Sequence, residues 1–326
     1  MPELAELKLT SDYVNTSSEG VTYVKVEKNP EHKGKELDIP FESFRIKSES
    51  KGKEIVLYIL DNNSDEYIPI RITMGMAGHF QVTNTTKEPK HAHLKFYRKD
   101  GTTLSFVDVR RFGKWTQGVA WNEGRGPDPT TEPREFFLNI MTNLTKKTFH
   151  KPLYEVLMDQ KWFNGIGNYL RAEIIFRAGD VDPFLPAAQQ IAKYPKILQL
   201  CTDVPMLAYA KGGGSIRDWD NPFGENTIQE PFMLCYGNAN MSKRKDRNGR
   251  TFWYDPKWNI NLHRDDLKDW DYYSGLPSPV ADKIERCEYT PIVTTKEELP
   301  IWTMLLNKVY EETFKTKRDE GFETTI

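Results

Sequence analysis

The rhythm of hydrophobic and polar positions changes once along the chain, near residue 120. Before that point apolar and β-branched residues come in short runs: Val21–Val26, Phe44–Ile46, Glu54–Leu60, Ile68–Met74, His91–Tyr97 and Leu104–Val109. Turn-forming clusters such as Asp61-Asn62-Asn63 and Lys99-Asp100-Gly101 separate them. Short strands in a sandwich or barrel are therefore predicted. Asn122–Pro133 is a joint rich in proline and glycine, and beyond it the spacing turns helical over Arg134–Leu144, Pro152–Asp159 and Gly167–Ala178. Gln160–Ile166 links the last two, with Gly165 and Gly167 placed for two tight turns. Lys211-Gly212-Gly213-Gly214-Ser215 opens a polar loop running to about Glu230, without the G-K-[ST] of a P-loop. Such a loop suits closure over a ligand. Asn248-Gly249 between β-prone stretches predicts a hairpin with Arg250 near its tip. The last stretch, 263–326, is broken by Pro277, Pro279, Pro291 and Pro300, with helical spacing only in Ile301–Phe314.

The predicted organisation is α and β, multidomain. A β-sandwich over 1–121 is followed by a linker at 122–133 and a helical domain at 134–232. A hairpin segment follows at 233–262 and an extension at 263–326. The 326 residues are ample for two cores, and 28% charged with 12% aromatic residues suits a soluble chain. Apolar runs such as Ile55–Leu60 are too short to span a bilayer, and Glu3 and Glu6 interrupt any secretory pattern. Cys201, Cys235 and Cys287 lie far apart without a C-x-x-C, which argues against structural zinc and against a disulfide framework. A reducing compartment is expected. The net charge of −2 is unevenly spread. Residues 263–326 hold nine basic and fourteen acidic residues, so the first 262 are mildly basic and compatible with a phosphate-bearing partner.

The candidate chemistry begins at Met1-Pro2-Glu3-Leu4-Ala5-Glu6. Loss of the initiator Met makes Pro2 a secondary amine beside two carboxylates, able to attack a carbonyl-like carbon without a cofactor. An α-amino group titrates near 8, so roughly a tenth is neutral at pH 7. The plain alternative is an ordinary penultimate proline, and Lys53 in Ser50-Lys51-Gly52-Lys53 reads equally as a solvated lysine. His91 and His93 would share one face of a strand, but no third metal ligand is near. A phosphate contact or a packed histidine is the better reading.

Taken together, Met-Pro-Glu-x-x-Glu, Gly75-Met76-Ala77-Gly78, Asp108-Val109-Arg110-Arg111-Phe112-Gly113 and Asp159-Gln160 with Asn164–Ile174 resemble the formamidopyrimidine/endonuclease VIII family of DNA glycosylases. Pro40–Ser43, Gly124-Arg125-Gly126-Pro127 and Gly249-Arg250-Thr251 are similar to its eukaryotic endonuclease VIII-like type 1 branch. The resemblance covers about residues 1–256. It implies a β-sandwich joined to a helix–two-turn–helix domain with a zincless finger. The implied activity is a bifunctional glycosylase and AP lyase for oxidised pyrimidines and ring-opened purines in double-stranded DNA. A monomer without metal or cofactor, in the nucleus and off membranes, is implied as well. Position by position, Pro2 matches the nucleophile, Glu3 the general acid, Lys53 a lysine supporting ring opening, and Glu6 a second acid near the active site. Met76, Arg110 and Phe112 match residues filling the gap left by an extruded base. Asn168 and Arg250 match phosphate contacts, and Lys211 matches a lysine of the lesion-recognition loop. Leu4-Ala5 stands where the family has Gly-Pro, Ala77 where it has Ser, and the tail is acidic rather than basic. A catalytically silent DNA-binding protein is the alternative raised by Leu4-Ala5. A proline-based tautomerase fits poorly, because those chains are far shorter.

Overall fold

The computed structural model describes residues 1–214, 219–224 and 232–263, with side chains described to Asn259. The expected helical spacing of Ile301–Phe314, Cys287 and most of the Ser215–Glu230 stretch lie outside the described residues. Two compact units are formed: Met1–Gly124 with Pro205–Phe232, and Arg125–Val204 with the residues from Met233 on.

The first unit opens with helix α1 (Leu4–Ser18), then β1 (Tyr23–Lys28), β2 (Phe44–Lys51), β3 (Glu54–Asp61), β4 (Tyr67–Thr73), β5 (His79–Asn84), β6 (Ala92–Arg98), β7 (Thr102–Val107) and β8 (Lys114–Gln117). Strand order is β5-β7-β6-β1-β2-β3-β4-β8, every pair antiparallel. A single register pair, Tyr23↔Phe44, joins β1 to β2. The sheet thus folds at that point into two four-stranded leaves, the predicted sandwich. Tyr23 and Phe44 stack there with ring centroids 5.7 Å apart. Ile46, Ile55, Leu57, Ile59, Ile70 and Ile72 meet Phe80, Leu94, Phe96, Leu104 and Phe106 in one buried cluster. Burial alternates along β2 but is nearly continuous along β3, as befits an edge-proximal and a central strand. β5 and β8 escape the apolar-run reading because each buries only one residue, Phe80 and Trp115.

Helix α1 was hidden in the sequence by its mixed composition, yet Leu4, Leu7, Ser11, Val14 and Ser18 fall on one buried face. It starts at Leu4 with Glu3 as N-cap, and Glu3 and Glu6 form a reciprocal capping box. Leu4 and Ala5, where the family carries Gly-Pro, are simply its first, buried turn. Beyond Phe44, β2 leaves β1, and α1 takes over the unpaired backbone. The Asn15 amide donates to Ser48 O (2.9 Å) and accepts from Ser48 N (2.7 Å), while the Ser11 and Ser48 hydroxyls meet at 2.9 Å.

The second unit holds α2 (Pro133–Met141), α3 (Leu153–Val156), α4 (Asn168–Ala178), α5 (Ala187–Lys193) and most of α6 (Lys196–Ala210), which crosses into the first unit at Pro205. The hairpin β9 (Ser242–Lys245) and β10 (Thr251–Tyr254) completes it. The helix expected over Pro152–Asp159 is one turn long, because the chain after Val156 is drawn into tight turns. The glycine run from Lys211 begins as a helix stop rather than a loop: Gly212 N donates to Tyr209 O (3.0 Å) and Gly213 N to Ala208 O (2.8 Å). No described helix is long and apolar enough to cross a membrane.

Asn15→Ala leaves the Ser48 N–H and C=O without their side-chain partner, at a cost of about 1–3 kcal/mol. Denaturant unfolding should show this loss, while Asn15→Asp should retain about half, since it keeps the acceptor alone.

Candidate active site and nucleic-acid interface

At the start of the chain Pro2 is buried, Glu3 is 2% exposed and Glu6 is fully buried. The Glu6 carboxylate accepts from Glu3 N at one oxygen and from Gly214 N at the other, both at 2.8 Å. One side chain thereby fixes the residue next to Pro2 and the end of the glycine run. Gly213 could not be another residue: its φ is +103°, and an added Cβ would lie 2.7 Å from Trp219 Cζ3 and 3.3 Å from Glu6 Oε1. Lys53 stands half-buried at the tip of the β2–β3 hairpin, in the turn between Lys51 and Glu54. Lys211 immediately follows α6, its N–H donating to Leu207 O (3.0 Å), and is half-buried.

Met76, Arg110 and Phe112, three separate sequence candidates, come together. Arg110 Nη1 lies 3.4 Å from Met76 Sδ. Gly75, at φ +61°, runs so close to the second loop that a Cβ would sit 2.6 Å from Gly113 N and 2.7 Å from Phe112 C. Buried Asp108 shapes that loop, accepting from Arg110 N (3.1 Å) and Gly113 N (2.7 Å). Arg111 is forced to φ +58° and its guanidinium pairs with Glu31 at 2.9 Å. Met76, Val109 and Phe112 remain 39%, 59% and 57% exposed, an apolar wedge held out from a rigid base. His93 proves to be the packed histidine, its Nε2 against Asp108 O at 2.9 Å.

In the second unit the turns before α4 are braced by their own side chains. Gln160 Oε1 accepts from Gly165 N (3.0 Å), Gln160 Nε2 donates to Ile166 O (2.8 Å), and buried Asn164 donates to Gly126 O (2.9 Å). Asn168, the first residue of α4, donates from Nδ2 to Thr251 O (2.9 Å) and accepts at Oδ1 from Arg171 Nη2 (2.6 Å). Arg171, fully buried, also pairs with Asp246 at 2.9 Å and lies over the rings of Tyr154 and Phe252. Asp246 accepts from Asn248 N and Arg250 N, both at 2.9 Å, so the expected Asn-Gly turn is a wider Asp246–Arg250 loop. Burial opposes ionisation of Asp246, but the Arg250 N–H and Arg171 hold it below the usual carboxylate range. Arg250 itself is exposed. A cleft of about 280 Å³ is lined by Lys151, Glu155, Arg171, Asp246, Arg247 and Arg250. Buried Glu173 accepts from Leu234 N (3.1 Å), Cys235 N and Tyr236 N (2.8 Å each), and pairs with Arg177. Cys201 and Cys235 are buried, and burial pushes the Cys235 thiol up to about 12. Among the described residues no group of three His, Cys, Asp or Glu could hold a metal ion.

Residues 1–115 match the formamidopyrimidine-DNA glycosylase N-terminal domain. Endonuclease 8-like 1 of Homo sapiens is 36% identical over 292 residues, spanning 78% of this chain and 72% of that protein. The chain belongs to the formamidopyrimidine/endonuclease VIII family. Among solved structures, the MutM (Fpg) protein of Thermus thermophilus aligns with a TM-score of 0.65 at 22% identity, covering 79% of this chain and 98% of that one. The Lactococcus lactis Fpg bound to DNA containing an oxidised pyrimidine aligns at 0.65 and 20%, over 79% and 99%. The fold is therefore that of the formamidopyrimidine/endonuclease VIII enzymes, and the chain is a DNA-binding DNA glycosylase of base excision repair.

For this family member, the resemblance matched Met76, Arg110 and Phe112 but gave no role to the residues that hold them. Asp108, Arg171 and Glu173 lay inside its motifs without an assigned role, and Asp246 and Trp219 lay outside them. A usable signal was present for two of them: Arg171 and Glu173 are charged residues on an otherwise apolar helix, N-Y-L-R-A-E-I-I.

Asp246→Ala removes the carboxylate that pairs with the buried Arg171 guanidinium and frees the hairpin loop, a loss of about 3 kcal/mol. Because the Asp246 pKa is lowered on folding, its stabilisation is present above about pH 4 and is lost as pH falls below that through the folded value. Acid unfolding should show that limb in the parent chain and a weaker one in the variant.

Proposed function

We propose that the chain is a bifunctional DNA glycosylase and AP lyase that removes oxidised pyrimidines and ring-opened purines. The observation that carries this is the N-terminal constellation: Pro2 next to Glu3, with Glu3 fixed by the fully buried Glu6. Met1 is 37% exposed at the chain end, and its removal leaves Pro2 as the terminal amine. The neutral amine attacks the sugar C1′ while Glu3 protonates the ring oxygen, and the base departs from C1′. The resulting iminium acidifies the C–H bonds of C2′. Loss of that proton expels the 3′ phosphate, and a second elimination expels the 5′ phosphate. Lys53 supports ring opening. Glu6 acts through Glu3, since both its oxygens are engaged by backbone N–H groups; it is a positioning residue.

Flipping a damaged base out of the duplex costs a few kcal/mol, and Met76, Arg110 and Phe112 offset this by filling the vacated stack. The turns before α4 and the hairpin serve as a helix–two-turn–helix and zincless finger. Arg250 and the remaining Nδ2 hydrogen of Asn168 suit a phosphate of the backbone. Lys211 is assigned to lesion recognition. The domain limits expected above, a nuclear site of action, a monomeric state, independence from metal and the extension at 263–326 belong to the same reading. The Lactococcus lactis relative, solved on DNA with an oxidised pyrimidine, supports the substrate class.

Two variants separate chemistry from grip. Glu3→Gln should abolish excision of an oxidised pyrimidine and retain cleavage at a preformed abasic site, where the base has already gone, with DNA affinity near that of the parent. Arg250→Ala should weaken binding to every sequence and flatten the salt dependence by about one unit of slope. Parallel cleavage assays and a salt titration check both. Excision at the parent rate by Glu3→Gln would remove the general-acid role. A parent chain that binds damaged DNA without cutting it would leave the silent reading standing.

A further inference from the structure

The connection from β1 to β2 is strapped to β8. Gln117 Nε2 donates to Asp38 O (2.6 Å) and its Oε1 accepts from Asp38 N (2.8 Å), while Trp115 Nε1 donates to Lys35 O (2.8 Å). Gly34 comes so close to the Trp115 ring that an added Cβ would sit 2.5 Å from Cζ2, and His32 stacks on that ring with centroids 4.3 Å apart. This frame bounds an open cavity of about 990 Å³, lined by Lys33 and Lys35 from the strap and by Arg111, Phe112 and Lys114 from the wedge loop and the start of β8. Its two carboxylates are already matched, Glu31 with Arg111 at 2.9 Å and Glu36 with Lys28 at 3.4 Å. Lys33, Lys35 and Lys114 are exposed and have no ion pair among the described residues. Three cations therefore share one cavity that begins at Phe112, a residue of the wedge.

We propose that this cavity holds the backbone of the DNA strand opposite the lesion, with Lys33, Lys35 and Lys114 meeting its phosphates beside the point where the wedge enters the stack. The inference rests on the reading of Met76, Arg110 and Phe112 as that wedge, and adds to it a grip on the second strand. Phosphate is the chemistry the lining selects: surplus positive charge, no unmatched carboxylate, and lysines that act as point charges on long stems. The choice of strand follows from what each strand already has. Phosphates of the lesion strand fall to Arg250 and Asn168, and its sugar to Pro2 and Lys53, whereas no residue named above holds the complement. Extruding a base leaves its partner unsupported, and a wedge driven into the gap displaces that partner's strand unless cations retain it. Phosphate contacts carry no sequence information, so the grip serves every lesion alike.

Lys33→Gln, Lys35→Gln and Lys114→Gln combined remove the three charges from exposed positions, so the melting temperature should stay at the parent value. Binding is titrated on the full chain with a duplex carrying a stable abasic analogue. The duplex is used unmodified, with neutral methylphosphonate linkages in the strand opposite the lesion, and with the same linkages in the lesion strand. On the unmodified duplex the triple variant should bind about tenfold or more weaker and lose about two to three units of salt slope. Neutral linkages in the opposite strand should weaken the parent by a similar factor and leave the variant unchanged. In the lesion strand they should weaken both proteins alike. Parent-like affinity and slope in the triple variant would overturn the proposal, as would equal losses of both proteins on the duplex neutralised opposite the lesion. A variant insensitive only to lesion-strand linkages would assign the cations to that strand and overturn the proposal too. The titration reads binding, so it decides the matter even if the parent binds without cutting, a result that would remove the glycosylase reading alone. A parent chain that does not bind DNA would overturn both.

Discussion

Buried carboxylates that accept backbone N–H groups are the constraint on which the functional parts of this molecule depend. Glu6 holds Glu3 N and Gly214 N; Asp108 holds Arg110 N and Gly113 N. Glu173 holds three successive N–H groups at 234–236, and Asp246 holds those of Asn248 and Arg250. An ionised carboxylate taken out of water without partners costs many kcal/mol. Each of these four recovers that cost through charge-assisted hydrogen bonds, which are about twice as strong as neutral ones. The anion is stable only while its loop keeps one shape. Loop order and carboxylate burial are thus a single property.

This arrangement explains how segments with little apolar surface of their own can still be presented rigidly. The wedge of Met76, Val109 and Phe112 stays exposed because Asp108, the Gly75 crossing and the Arg111–Glu31 pair fix the chain behind it. The hairpin β9–β10 has four residues in each strand, too few to stand alone. Its loop is fastened to α4 through the Asp246–Arg171 pair and the Asn168–Thr251 bond, and the segment before it through Glu173. Arg171 in turn lies over aromatic rings, where a weakly hydrated guanidinium is comfortable.

Much of this was legible in the sequence, and the reasons for the gaps are physical. Short runs of apolar and β-branched residues revealed the central strands of the sandwich, while β5 and β8, at the edges, bury too little to leave a pattern. Helix α1 was obscured because its buried face includes Ser11, Ser18 and Glu6, polar residues whose partners at Ser48, Tyr23 and Gly214 lie outside the helix. The resemblance supplied Pro2, Glu3, Lys53 and the wedge, residues defined by short local motifs. Asn168 was read as a phosphate contact, and the structure adds that its side chain also ties α4 to Thr251. Long-range pairing of this kind has no local signature.

The central claim is that the amine of Pro2 forms the covalent intermediate. Borohydride reduction during reaction with a duplex carrying an oxidised pyrimidine, followed by peptide mapping of the adduct, tests it most directly. The account predicts a stoichiometric protein–DNA adduct on the peptide beginning at Pro2, in chains that have lost Met1. An adduct carried by Lys53 or Lys211, or by chains retaining Met1, would contradict it.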